Sequence, residues 1–206
     1  MFVVKYSGAF GFIKPWTAVR DNETFSQQFL TPSIIEGIEK KLFPDLLDFV
    51  GIKKIIQHRL TYSWLSAQQE QTQPRGVNSV LHKKEKQIEF SRPKSILLRS
   101  VLINPILYLA FNNRIDAEEA SIQHICLCRN EDILMPAPVN NDYNEFITEV
   151  SGDEFDDPLG KYKGFELRFD KNEKAFIVGY NRFHNNEPMY GWLNIVGENP
   201  LQTYEI

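Results

Sequence analysis

The residues most suited to chemistry in this chain are cations packed into a short interval. His82, Lys83, Lys84, Lys86, Arg92, Lys94 and Arg99 follow one another closely, with Arg75 upstream of them. Lysine and arginine at this density serve ionic contact with phosphates rather than burial, because each carries a charge that is costly to desolvate. The interval opens polar and turn-rich, Ala67-Gln68-Gln69-Glu70-Gln71-Thr72-Gln73-Pro74-Arg75-Gly76. The most strand-like runs, 55–65 and 97–111, flank it. A basic arm, poor in core-forming residues and set between two strands, reads as a projection that grips a polyanion, RNA foremost.

The charge distribution sharpens this. Residues 51–100 hold ten Lys/Arg and three Asp/Glu, a balance of +7, while the whole chain carries −4. The balances elsewhere are −1 over 1–50, −6 over 101–150 and −4 over 151–206. One polyanion-facing surface on an otherwise acidic body gives this asymmetry. A solvated charged face gives it equally well on charge alone.

A second group mixes aromatics with cations. Gly8, Gly11 and Pro15 break regular structure, and Phe10, Phe12 and Trp16 stand among them beside Lys14 and Arg20. Stacking rings next to cations suit a nucleic-acid strand. Phe10 and Phe12 equally suit a loop packed on a core edge, which makes Trp16 the better stacking candidate. Thr31-Pro32 marks a helix start, hydroxyl at the cap and proline in the first turn. Its free N–H groups, with Ser33 beside Pro32, offer a phosphate seat. Gly37 in mid-helix costs about 1 kcal/mol relative to alanine, so another backbone, of a strand or of a nucleic acid, is expected to approach it closely.

Other chemistries lack their residues. No nucleotide-binding glycine loop, HExxH pair, Gly-x-Ser-x-Gly elbow or four-ligand zinc spacing occurs, so neither a cofactor nor a metal is expected. Cys126 and Cys128 read as two buried thiols on one strand face, and the carboxylates of 153–157 as a solvated acidic loop. No apolar run reaches the ~20 residues of a membrane helix. The N-terminus opens directly on Phe2-Val3-Val4, and the chain is expected to be cytoplasmic with no membrane partner.

The elements that must position these groups follow from periodicity. Residues 2–6 form an opening strand. Ile34, Ile35, Ile38 and Leu42 recur at helical spacing up to Pro44. In 56–65, Ile56, His58, Leu60, Tyr62 and Trp64 share a face, which makes His58 a core residue, and Arg59 marks the wet side. The arm alternates again at Gln87-Ile88-Glu89-Phe90-Ser91-Arg92, so it contains a hairpin, with its tip near Pro74-Arg75-Gly76. Residues 97–111 read as a central strand bent at Asn104-Pro105. A short acidic helix over 116–121, a strand over 124–128 and a charged turn Arg129-Asn130-Glu131-Asp132 follow. Two β-α-β units in this order predict an α+β, ferredoxin-like sandwich, the architecture of many RNA-recognition modules, carrying a projecting β-hairpin.

That palm occupies 1–138, with the arm at about 66–99. Composition shifts after Pro136-Ala137-Pro138, and 139–206 reads as a C-terminal β extension or as an integral part of the same sheet. Within it, 165–169 and 175–179 suggest a hairpin across Asp170-Lys171-Asn172-Glu173.

Several segments, in order, resemble the Cas five family, the CRISPR-associated subunit that holds the 5′ end of guide RNA in type I Cascade complexes. Tyr6-Ser7-Gly8-Ala9-Phe10-Gly11-Phe12-Ile13-Lys14 is similar to the family's glycine-aromatic opening. Thr31-Pro32-Ser33-Ile34-Ile35-Glu36-Gly37-Ile38 resembles its proline, hydroxyl and helical-glycine signature. The strand from Leu98-Arg99-Ser100 to Tyr108 resembles the segment after its thumb. Leu127-Cys128-Arg129-Asn130-Glu131-Asp132 resembles the turn of the type I-B branch. Lys14 stands where many members carry arginine, and Cys128 where they carry glycine.

The resemblance implies a modified RNA-recognition fold whose β-hairpin thumb hooks over the guide while the palm holds the 5′ handle. It implies crRNA, the Cascade backbone and large subunits, and target DNA through the complex, as partners. RNA contacts are then expected at Lys14, Trp16, Arg20, Pro32, Ser33, Gly37, Arg59 and Arg75. The same expectation covers His82, Lys83, Lys84, Lys86, Arg92, Arg99 and Arg129, the last of which equally suits pairing with Glu131 or Asp132. One branch, type I-C, cuts precursor guide RNA without metal through tyrosine, lysine and histidine, which would fall here on Tyr62, His82 and Lys83. The histidine precedes the lysines and lies in the arm, so the reading taken is non-catalytic, with metal-independent ribonuclease activity as the alternative.

Overall fold

A computed structural model describes residues 1–15, 23–72, 76–82, 84–91, 95–139, 145–181 and 184–197. In chain order come β1 (Phe2–Ser7), β2 (Phe10–Gly11), β3 (Glu23–Phe25), α1 (Pro32–Leu42), β4 (Ile55–Thr61) and β5 (Trp64–Thr72). Then come β6 (Asn78–His82), β7 (Gln87–Ser91), β8 (Ser95–Ile103), β9 (Ile106–Phe111), α2 (Arg114–Ser121), β10 (Ile125–Cys126) and β11 (Ile133–Ala137). The chain continues with β12 (Ile147–Glu149), α3 (Gly152–Phe155), β13 (Gly164–Arg168), β14 (Phe176–Asn181) and β15 (Glu187–Val196). The class is α+β, with mostly antiparallel sheets.

The main sheet runs β10-β11-β1-β9-β4-β13-β15-β14, with β12 also on β1. Its centre is buried on both faces. Val4, Tyr6, Leu60, Leu107, Leu109 and Phe111 pack under Ile35, Ile38 and Leu42 of α1 and Ala117 and Ala120 of α2. On the other face, Val3, Tyr108 and Ala110 pack against Val150, Phe155 and Tyr162. The two-sided burial explains why β9 is apolar at nearly every position. The C-terminal region is thereby part of the palm sheet: β12 pairs β1, α3 caps its second face and β13 joins β4 at Phe165↔Leu60. Gly164, at φ +134, lets β13 come that close, since a Cβ there would strike the Leu60 carbonyl.

The same covering layer corrects the reading of Arg59. Its strand carries a bulge between Ile55 and Gln57, which leaves Ile56 40% exposed, and Arg59 is fully buried instead of wet. The run 97–111 is two strands, not one. β8 belongs to a second sheet, β2-β8-β3 with β5 on β8, and β9 to the main sheet. Asn104, at φ 49, turns the chain between them. The expected hairpin of β13 with β14 does not form either, because β15 lies between and pairs with both.

Helix α1 starts at Pro32 as its sequence predicts, but the Thr31 hydroxyl makes no capping bond. The Thr31 carbonyl instead accepts from the N–H groups of Ile34 and Ile35. Gly37 is exposed, and a Cβ placed there meets no atom within 4 Å, so among the described residues no strand approaches it. Cys126 is half-buried and Cys128 exposed, where two buried thiols were expected.

Candidate nucleic-acid interface

The basic interval forms an arm. β5 and β8 pair over nine residues from Trp64↔Ile103 to Thr72↔Ser95. β6 and β7 continue as a separate hairpin from Asn78↔Ser91 to His82↔Gln87. The reversal of this hairpin lies between His82 and Gln87; of the tip expected near Pro74-Arg75-Gly76, Pro74 and Arg75 fall outside the described residues. The reason is local: the Glu85 N–H donates to the His82 carbonyl, and Lys86 adopts the left-handed region at φ 53. Every residue of β6 and β7 is exposed, including Leu81, Ile88 and Phe90. Directly opposed residues share a face, so Ser79, Phe90, Leu81 and Ile88 make one apolar side. The other side is polar and holds His82 paired to Glu89 at 3.0 Å. Lys84 and Lys86 are exposed at the turn. Arg75, Lys83, Arg92 and Lys94 fall outside the described residues, as do Trp16 and Arg20.

At the root of the arm, sequence-distant residues converge on one ring. Phe12, 4% exposed, follows β2, which pairs with β8. The guanidinium of Arg99 lies 5.6 Å from its centroid and that of Arg129 5.5 Å. Two cations on one ring gain from its quadrupole, by about 0.5–1 kcal/mol each at a partly exposed site. Arg99 sits on β8 and donates to Thr24 Oγ1 of β3 at 2.9 Å, and from Nε to Glu70 Oε2 at 3.3 Å. Arg129 is held from the other side. Its Nε and Nη2 donate to the Asp132 carboxylate at 2.9 and 2.7 Å, and the same carboxylate accepts from its backbone N–H at 2.8 Å. The side-chain bonds to Asp132 push the Arg129 guanidinium above its ordinary range. Pairing within the turn is therefore what fixes Arg129, and its Nη1 still lies 3.9 Å from Glu70.

The other predicted contacts are spread apart. Lys14 is exposed two residues beyond Phe12. Pro32 is half-buried and Ser33 exposed at the start of α1. Arg59 is spent internally: it donates to Glu166 and Asp156, and Arg168 bridges the same two carboxylates at 2.9 and 2.8 Å. Tyr62 is 4% exposed, and its hydroxyl donates to Gln28 at 2.7 Å beside the stacked ring of Phe165. It lies just before β5 at the arm's root, whereas His82 lies at the distal end of β6.

Sequence reasoning missed Phe12 as the shared platform and Glu70 as the carboxylate between two arginines. The available signals were Arg99 in an otherwise apolar run and the i, i+3 spacing of Arg129 and Asp132. No protein-family model matches the chain, and no curated protein matches its sequence.

Proposed function

We propose that this chain is a non-catalytic guide-RNA-binding subunit of a type I CRISPR surveillance complex, of the Cas five kind. In this reading the palm is ferredoxin-like. Its support is the order β4-β9-β1-β11, all antiparallel, with α1 between β1 and β4 and α2 between β9 and β11. The arm is the thumb that hooks over the guide beside a backbone subunit, and the palm holds the crRNA 5′ handle. Acidic surfaces away from the arm face the large subunit, and target DNA is met through the assembled complex. The complex works in the cytoplasm.

One observation carries the reading. Phe12, Arg99 and Arg129 come from three separate segments that resemble the family, and all three meet at the arm's root. Two guanidinium groups held on a buried ring beside an exposed hairpin fit a single strand gripped by its phosphates. The arm's unburied apolar side favours a subunit of an assembly over a free-standing protein, since a two-stranded hairpin is marginal in water by itself.

The test is to purify the tagged chain from cells that express its neighbouring subunits and sequence the RNA that accompanies it. Repeat-derived RNA with one defined 5′ end is expected, and RNA no different from the cellular pool would overturn the reading. Incubation of the purified protein with repeat RNA and EDTA should leave the RNA intact. Specific cleavage that His82→Ala abolishes would establish the ribonuclease instead.

A further inference from the structure

We infer that Glu70 is a built-in competitor for the phosphate of the bound strand, an internal carboxylate that RNA must displace from Arg99 and Arg129. The inference rests on the RNA-binding reading above and assigns the exchange at its site. Three observations support it. Glu70 belongs to the arm, whereas Arg129 belongs to the turn of the palm, so its contacts link the two. One oxygen, Oε2, faces both Arg99 Nε at 3.3 Å and Arg129 Nη1 at 3.9 Å, the position a phosphate oxygen would take between two guanidinium groups. Glu70 is also the loosely held member, with its side chain 42% exposed against 23% for Arg99 and 19% for Arg129.

The two arginines are differently anchored. Arg129 keeps Asp132 whatever happens to Glu70, and Arg99 keeps Thr24. Both therefore stay aimed at the same point when the carboxylate leaves. A phosphodiester entering there exchanges one negative charge for another. The local charge is unchanged, and few counterions are released at this point, because Glu70, together with Asp132 and Glu131 on Arg129, already balances the two arginines. Departure of Glu70 also removes an ion pair between the arm and the turn after β10, while the pairing of β8 with β2 and β3 remains.

The experiment uses the full chain with a fluorescein-labelled 20-nucleotide single-stranded RNA, with anisotropy read over a series of NaCl concentrations. Glu70→Gln should bind roughly two- to five-fold tighter at low salt, the range set by the worth of an exposed ion pair. Its slope of log K against log salt should steepen by about 0.7, because one phosphate contact now releases a counterion. Both changes should shrink when Arg99→Gln is already present, since only the longer Arg129 contact then remains to be relieved. Glu118→Gln, an equal loss of charge on α2, controls for net charge. A Glu70→Gln curve that overlays wild type, or matches Glu118→Gln, overturns the exchange while leaving RNA binding intact. Absence of RNA binding by the wild-type chain, alone and with its neighbouring subunits, overturns the function itself and the exchange with it.

Discussion

Arg59 on β4 and Glu166 on β13 form an ion pair inside the protein, with Arg59 fully buried and the Glu166 side chain 4% exposed. The guanidinium also lies 4.7 Å from the Phe155 ring centroid and donates to Asp156, so one side chain joins β4, α3 and β13. Removing one partner of such a pair strands a buried charge. Arg59→Met should cost about 3–5 kcal/mol, read as a lower urea midpoint. Arg59→Met with Glu166→Leu should cost clearly less than the two single losses added. A loss below ~1 kcal/mol for Arg59→Met would mean that Arg168 alone satisfies Glu166.

His58, beside this pair, makes stability pH-dependent. Burial pushes its imidazolium down to about 4 from the ordinary 6.5; the nearby Glu166 opposes the shift, and Arg59 and Arg168 add to it. The unfolded chain therefore takes up the proton first as pH falls. The contribution is complete above the ordinary value and is lost as pH falls toward 4, up to about 3 kcal/mol. His58→Gln removes the proton site, so the wild-type minus mutant difference in unfolding free energy should fall over this window. A difference that stays flat would sink the assignment.

The pattern of buried and exposed residues explains what was legible in the sequence. Helix α1 was, because Ile35, Ile38 and Leu42 face one core at helical spacing. Arg59 was not, because alternation along β4 marks two faces but cannot say that the 150–162 segment covers the second. The arm was legible as exposed and basic, since the absence of a core is itself a pattern. Its root was not, because Phe12, Glu70, Arg99 and Arg129 meet only through long-range pairing of β2, β5 and β8 and the turn after β10. Residue types named Arg99 and Arg129 separately; only tertiary structure sets them on one ring.

Glu39 is a structural carboxylate that charge counting would assign to the surface. It is fully buried on α1 and accepts from the backbone N–H groups of Lys53, Lys54 and Ile55 at 2.8, 2.6 and 2.8 Å. Those bonds lead the chain into β4. Glu39→Ala leaves three donors without their acceptor, and each costs about 1–3 kcal/mol when it stays dry. Glu39→Ala should therefore melt well below wild type, while Lys53→Ala, whose backbone N–H is retained, should change little. Equal melting of Glu39→Ala and wild type would show that water replaces the carboxylate.

The turn of the arm gives a prediction separate from its root. Lys84 and Lys86 are exposed beside the reversal, with Lys86 in a left-handed conformation that aims the turn without burying anything. Neutralising both should leave stability unchanged, because neither side chain has a core to lose. If each lysine meets a phosphate, Lys84→Gln/Lys86→Gln should flatten the salt dependence of RNA binding by about 0.7 per lost contact. Arg99→Gln at the root should instead lower affinity with little change of slope, because Glu70 already balances that site, and the two sites lie at opposite ends of the arm and share no partner. The triple variant should then show the lysine change in slope together with the Arg99 loss of affinity. A double lysine variant with the wild-type slope would place the strand at the root alone and leave the turn to a protein neighbour.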